Sequence, residues 1–286
     1  MGKAKQHFLD IFFNPNNIAV VGATKNPQKM NFHLVRNLVN LKFPGRIYPM
    51  NPNADEILEL KAYPSLESIE DDVDLVVTAV PAVATMGVIE DCVRKAVKGV
   101  VIVSGGFSEI GWEGRGVQDE MHRLLRERGI RAVGPNSLSP INTSNNLAIG
   151  FGPIERLKRG GVSFIFQSGL YNPRLDWIFS EFNLGISKLA DLGNKMDINE
   201  VDTLEYLAED PDTKVIAMHL ESVAGDGKRL MQLIEDTTRE KPVVVIKSGR
   251  TPAGAEAASS HTGAMMGASD AVFDVMLRQS GAIRAH

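Results

Sequence analysis

The sequence predicts an α/β protein of two units, each a doubly wound or closely related parallel sheet flanked by helices. Short β-branched runs alternate with amphipathic segments from one end to the other. The runs are nearly continuous in apolar residues, as expected for parallel strands buried on both faces and joined by helical crossovers. The length of 286 residues, at roughly 100–200 residues per domain, predicts about two domains.

In the first half, strands are predicted at residues 17–22, 46–50, 75–80, 99–103 and 130–133, with the clearest helices at 83–97 and 114–128. Residues 139–158 are rich in Ser, Asn, Pro and Gly and interrupt the alternation, which places a domain boundary there. The pattern then resumes with strands at 161–167, 185–189, 215–220 and 243–247. Helices are expected at 172–182, 199–208, 227–240 and 269–280. The second half therefore reads as another parallel α/β unit, and no residue-level repeat relates the halves.

Composition narrows the function. Hydrophobic residues make up 43% and charged residues 23%, ordinary values for a globular protein. A net charge of −4 gives no general attraction to nucleic acid or anionic lipid. No window reaches the roughly 18 apolar residues of a membrane span, and residues 1–13 lack the apolar run of a signal peptide. A single cysteine, Cys92, allows neither an internal disulfide nor a cysteine-rich metal site, so a cytoplasmic protein with no metal centre is expected. Cys92 sits in a helical pattern and reads as a core residue.

The candidate site residues lie at strand ends. Val21-Gly22-Ala23-Thr24 follows the first strand and leads towards Lys29; a glycine there lets the backbone turn tightly and approach a phosphate. The same turn also serves as a purely structural device, and the residues alone leave both readings open. The usual dinucleotide glycines are incomplete, and Asn51-Pro52-Asn53 ends the second strand where an NAD site places an acidic residue. Val80-Pro81, Ser104-Gly105-Gly106 and Gly134-Pro135-Asn136-Ser137 end the next strands and are expected to line the same crevice.

In the second half, Gln167-Ser168-Gly169 follows a strand and opens a helix, an arrangement suited to an anion. Glu221 follows the strand at 215–220. His261 lies in the small-residue stretch Ser259-Ser260-His261-Thr262-Gly263-Ala264. A histidine beside an anion site can attack phosphorus through one ring nitrogen if a carboxylate holds the other, and Glu221 is the candidate carboxylate. Packing is the commoner role of a histidine, and His33, His122 and His219 are read as structural. No P-loop, His-Glu-x-x-His or Gly-x-Ser-x-Gly sequence occurs, which removes the main support for a P-loop ATPase, a zincin or an α/β-hydrolase.

Taken in order, Val20-Val21-Gly22-Ala23-Thr24, Ile47-Tyr48-Pro49-Met50-Asn51-Pro52, Ala79-Val80-Pro81, Gly134-Pro135-Asn136, Gln167-Ser168-Gly169, Leu192-Gly193-Asn194-Lys195, Lys247-Ser248-Gly249-Arg250 and Ser260-His261-Thr262-Gly263-Ala264 resemble the α subunit of the nucleoside-diphosphate-forming acyl-CoA synthetases. The resemblance implies a Rossmann-like CoA-binding domain at residues 1–145 and a flavodoxin-like ligase domain at 146–286. It implies CoA held by Gly22, Ala23, Thr24, Lys29, Asn51, Pro52, Val80, Pro81, Ser104, Gly105, Gly106 and Asn136. His261 is then the phosphoryl carrier, Glu221 its orienting carboxylate, and Ser168, Gly169, Gly263 and Ala264 the phosphate cradle. The implied activity is a hetero-oligomeric acid–CoA ligase whose magnesium nucleotide, ADP or GDP, is held by an ATP-grasp β subunit. Ser137 and Ser139 replace a frequent Cys and Gly, Asn53 stands where a basic residue is common, and Leu170-Tyr171-Asn172-Pro173-Arg174 replaces a run of small residues. Two other classes compete: a CoA-binding regulatory protein of the same fold, and an NAD-dependent oxidoreductase, which the missing glycines and acidic residue disfavour.

Overall fold

The computed structural model describes residues 7–169, 175–248 and 270–285. The chain begins with the short helix α1 (Asp10–Phe13) and β1 (Asn17–Val21), then α2 (Phe32–Asn40) and β2 (Arg46–Met50). A two-strand ribbon follows, β3 (Glu56–Ile57) and β4 (Leu60–Lys61), then β5 (Leu75–Thr78), α3 (Ala82–Lys95), β6 (Gly99–Ile102), α4 (Trp112–Glu127) and β7 (Arg131–Val133). Strands β1, β5 and β6 are buried almost throughout, which is why they read as unbroken apolar runs instead of alternating ones. Helix α3 ends where Ala96 turns left-handed, with Arg94 and Lys95 in its last turn against the negative end of the helix dipole.

The sheet order is β2-β1-β5-β6-β7, and every adjacent pair is parallel. From β1 the chain winds outward to β2 and then returns to the other side at β5. The order therefore reverses between β1 and β5, and a crevice opens at their carboxyl ends.

The second unit comprises β8 (Ile141–Asn142), β9 (Leu147–Ala148), β10 (Arg159–Phe166), α5 (Leu175–Glu181), β11 (Ile186–Asp191), α6 (Glu200–Glu209), β12 (Val215–Leu220), α7 (Gly227–Thr238), β13 (Val243–Lys247), α8 (Asp270–Gln279) and β14 (Ile283–Arg284). Its order is β14-β13-β12-β10-β11-β8-β9, with the reversal between β10 and β12. Asn199 caps α6 in a reciprocal box with Asp202, and Asp226 caps α7 through the N–H groups of Lys228 and Arg229.

The second unit is parallel as expected from β10 to β14, and its edge adds an antiparallel hairpin that the sequence reading did not foresee. β8 and β9 form an antiparallel hairpin, and β8 runs antiparallel to β11. They lie in the stretch read as a boundary, because strands of two residues carry no periodicity for a sequence to display.

The two units share apolar packing. Phe13 stacks on Tyr206 with ring centroids 5.2 Å apart. The buried Asn37 of α2 donates to the carbonyls of Gly150 and Gly152 and accepts from Ile154 N–H, tying the connecting segment to the first unit. Among the described residues no helix is long and apolar enough to cross a membrane.

Candidate functional site

At the first reversal, β1 ends in Gly22, whose φ of +87° is left-handed and whose added Cβ would lie 3.1 Å from Ala79 O. Glycine is favoured there by conformation, and a Cβ would crowd the Ala79 carbonyl. The N–H groups of Gly22 and Ala23 each donate to Met50 O at 3.2 Å, Asn51 Nδ2 donates to Ala23 O at 2.8 Å, and Asn31 Nδ2 donates to Gly22 O. These bonds hold the turn open over the end of β2. A cavity of about 240 Å³ results, lined by the expected Gly22, Ala23, Thr24, Lys29, Asn51, Pro52 and Val80. Asn31 and Pro64, which sequence reasoning did not single out, also line it.

Pro81, Ser104, Gly105, Gly106 and Asn136 do not line that cavity. Pro81 sits at the N-cap of α3. Ser104 Oγ donates to Val80 O, and Asn136 N–H donates to Ser104 O at 3.0 Å, so the three strand ends form a linked row beside the cavity. Gly106 N–H and Phe107 N–H donate to the Glu109 carboxylate, which also accepts from Asn194 Nδ2 at 2.6 Å.

The row continues into the second unit. Asn194 N–H donates to Pro135 O at 2.9 Å and Met196 N–H to Gly134 O at 3.0 Å. Ser137 Oγ and Ser139 Oγ donate to Asp191 O at 2.6 and 3.0 Å. Gly193, at φ +53°, lies so close that a Cβ would sit 2.1 Å from Pro135 O. The carboxyl end of the first sheet thus abuts the turn after β11.

At the second reversal, Gln167 and Ser168 follow β10 and Glu221 follows β12, and all three are buried. Gln167 Oε1 accepts from the N–H groups of Glu221 at 2.9 Å and Ser222 at 3.0 Å. Gln167 Nε2 donates to Ser222 Oγ at 2.9 Å. Those bonds bring the Glu221 loop against the Ser168-Gly169 turn. Asp191, at the end of β11, accepts from Leu138 N–H at 2.6 Å and Gly193 N–H at 3.2 Å, and a Cβ on Gly169 would lie 3.3 Å from its Oδ2. Burial pushes the Asp191 carboxyl up to about 7 against the pull of those two N–H bonds, and the charge of Glu221 adds to the rise.

Behind Glu221 lies a fully buried ion pair, Lys195 with Glu200, at 3.0 Å. Neither Asp191 nor Glu200 was singled out from sequence, and Lys195 entered only within the motif Leu192-Gly193-Asn194-Lys195, with no partner named; the available signal for Asp191 was a carboxylate closing an apolar strand.

The residues read as structural sit accordingly. Cys92 is buried, and burial pushes its thiol far up, away from nucleophilic use. His219 Nε2 lies 2.6 Å from Ser248 Oγ, and burial lowers its pKa. His261, Gly263, Ala264 and the Leu170-Arg174 departure fall outside the described residues.

The geometry defines a two-unit α/β protein with a cavity of about 240 Å³ at one sheet reversal, the buried carboxylates of Asp191 and Glu221 at the other, and a hydrogen-bonded seam between them. Residues 16–142 match the model of a CoA binding domain, and residues 159–286 match that of a succinyl-CoA ligase like flavodoxin domain. The chain is 40% identical over 279 residues to an ADP-forming acetate–CoA ligase II of Archaeoglobus fulgidus, covering 97% of this chain and 41% of that protein. It is 38% identical over 283 residues to the α subunit of an ADP-forming acetate–CoA ligase I of Pyrococcus furiosus, covering 97% of this chain and 60% of that one. Among solved structures, a dinucleotide-forming acetyl-coenzyme A synthetase 1 of Ca. Korarchaeum cryptofilum, in complex with phosphate and ADP, superimposes with a TM-score of 0.90 at 39% identity, covering 97% of this chain and 59% of that chain. This chain belongs to the nucleoside-diphosphate-forming acyl-CoA synthetase superfamily. It spans roughly two fifths to three fifths of the length of these relatives.

Proposed function

We propose that the chain is the α portion of a nucleoside-diphosphate-forming acid–CoA ligase, with the unit built on β1–β7 binding CoA and the unit built on β8–β14 carrying phosphate. The observation that carries this reading is the pair of bonds from the Glu221 and Ser222 N–H groups to the Gln167 side chain. They set a buried carboxylate beside the Ser168-Gly169 turn at a sheet reversal, where ligands of open α/β sheets bind. The sequence identity to proteins named ADP-forming acetate–CoA ligases supports the same activity.

CoA fits the first reversal. The Gly22 turn keeps clear the space that a side chain would fill, and Lys29 brings a cation to the cavity. Pro81, Ser104, Gly105, Gly106 and Asn136 extend from it towards the second unit, the direction a pantetheine arm must take to deliver a thioester to the phosphate.

The chemistry proceeds in three balanced steps. Inorganic phosphate attacks the thioester carbonyl, forming an acyl phosphate and releasing CoA thiolate, which takes a proton. A ring nitrogen of His261 then attacks phosphorus; the P–O bond to the acyl group breaks and the carboxylic acid leaves as its carboxylate. Phosphohistidine finally passes the phosphoryl group to ADP or GDP and the imidazole is restored. Ser168, Gly169, Gly263 and Ala264 supply donors to the phosphate oxygens. Glu221 accepts from the second ring N–H of His261, fixing its tautomer and stabilising the cationic ring.

The magnesium nucleotide belongs mainly to an ATP-grasp β portion. Combined with that partner, the protein is expected to form acyl-CoA from acid, CoA and ATP, and alone to form none. ATP-dependent thioester synthesis by the purified chain by itself would overturn the division of labour. A single cysteine suits a reducing compartment, and the proposed enzyme is placed in the cytoplasm on that ground.

A further inference from the structure

The segment from Glu221 to Gly225 follows β12 without entering a helix or strand. Its main chain is held by side chains from three other places in the fold. Lys195 Nζ donates to Ser222 O at 2.7 Å, to Gln167 Oε1 at 3.0 Å and to Glu200 Oε2 at 3.0 Å. The other oxygen of Glu200 accepts from Ala224 N–H at 2.7 Å and Gly225 N–H at 2.8 Å. Gln167 takes the N–H groups of Glu221 and Ser222. All three donors of the ammonium and both oxygens of the carboxylate are therefore used. The side chains of Lys195 and Glu200 are 2% and 0% exposed.

Burying an ammonium and a carboxylate costs free energy that apolar side chains of the same volume avoid, so stability alone gives weak reason for the pair. What directed bonds supply, and apolar packing does not, is a fixed position for a loop that the sheet leaves unpaired. Resting on the function proposed above, we propose that Lys195, paired with Glu200, is a positioning residue that fixes the Glu221 loop and thereby the carboxylate that orients the phosphoryl-accepting histidine. An orienting carboxylate acts only within hydrogen-bond reach, and a misplacement of about 1 Å costs on the order of a hundredfold in rate.

The test uses the full chain with radiolabelled acetyl phosphate as phosphoryl donor, and follows acid-labile, alkali-stable label over time. The variant Lys195→Met/Glu200→Gln removes both charges together, so neither is left buried alone, and keeps an amide oxygen for the Ala224 and Gly225 N–H groups. The variant is expected to label roughly 100-fold more slowly, with unchanged CoA affinity, because the first unit is untouched. The decisive comparison adds Glu221→Gln to both backgrounds. If the pair acts through Glu221, that substitution slows the wild type strongly and the double variant by less than about twofold, the non-additivity expected of groups acting as one unit.

Lys195→Arg keeps the charge beside Glu200 and changes only the donor geometry. It supplies the same cycle should the double variant fail to fold. Labelling of the clamp variant at the wild-type rate, or an equal cost of Glu221→Gln in both backgrounds, would overturn the proposal. A wild-type chain that takes no label, alone or with its partner and ATP, would instead refute the phosphohistidine reading, and the positioning role would fall with it.

Discussion

Asp191 makes stability depend on pH in a way that isolates one carboxyl group. Burial raises it from an ordinary value of 3.8 to about 7, so the folded state holds a proton that the unfolded chain gives up. Below pH 3.8 both states are protonated and the group contributes nothing. As pH rises towards 7 the unfolded state binds fewer protons than the native state, so stability falls, and above 7 the loss is constant. A shift of about three units corresponds to roughly 4 kcal/mol at full development, of which about 3 kcal/mol develops between pH 4.5 and pH 8. Asp191→Asn cannot titrate. Its amide faces two N–H donors with one oxygen, so its overall stability is free to differ; the pH dependence is the readout. The two tryptophans, Trp112 and Trp177, lie in different units, so in a Trp112→Phe background fluorescence reports the second unit alone. Urea unfolding across pH 4.5–8 should give a wild-type curve that falls relative to Asp191→Asn by about 3 kcal/mol. Parallel curves would refute the assignment of a raised, buried carboxyl beside Gly169.

Three further outcomes follow from the geometry. Gly22→Val places a branched side chain at a left-handed φ, with its Cβ about 3.1 Å from Ala79 O; CoA affinity by calorimetry should fall by at least about tenfold, and equal affinity would remove this turn from the CoA site. Gly193→Ala drives a methyl group to within 2.1 Å of Pro135 O and should destabilise the seam by roughly 2–4 kcal/mol in thermal unfolding; an unchanged melting temperature would show that the seam yields freely. Glu221→Gln should leave the melting temperature within a few degrees while slowing phosphoryl transfer about a hundredfold, and an unaltered transfer rate would remove its orienting role.

The fold was legible wherever burial on both faces made a strand continuous. β2, β12 and β13 match their expected limits, and the long amphipathic helices α3, α4 and α7 lie within about two residues of theirs. The β8–β9 hairpin was hidden because its partners are set by tertiary contact, not by local periodicity. At the site, strand-end glycines and prolines carried a visible signature of turn chemistry, and the first cavity is lined by seven of the twelve residues expected to hold CoA, without Pro81, Ser104, Gly105, Gly106 or Asn136. Asp191, Glu200 and the pairing of Glu200 with Lys195 were invisible for a different reason. A charged side chain in sequence reads as solvated, and only the fold shows that Asp191, Lys195 and Glu200 are buried against the loops that bear Ser168 and Glu221. Gln167 read as part of a turn, whereas its side chain bridges the ends of β10 and β12.

The most direct measurement is the site of phosphorylation. The chain, incubated with acetyl phosphate or with a β subunit of the proposed ATP-grasp kind and ATP, is digested under alkaline conditions and the peptides are mapped by mass spectrometry, with His261→Ala in parallel. One acid-labile phosphate is expected, located on His261, absent from the variant and discharged by ADP or GDP in the presence of that β subunit. Label on another residue, or undiminished label in His261→Ala, would contradict it.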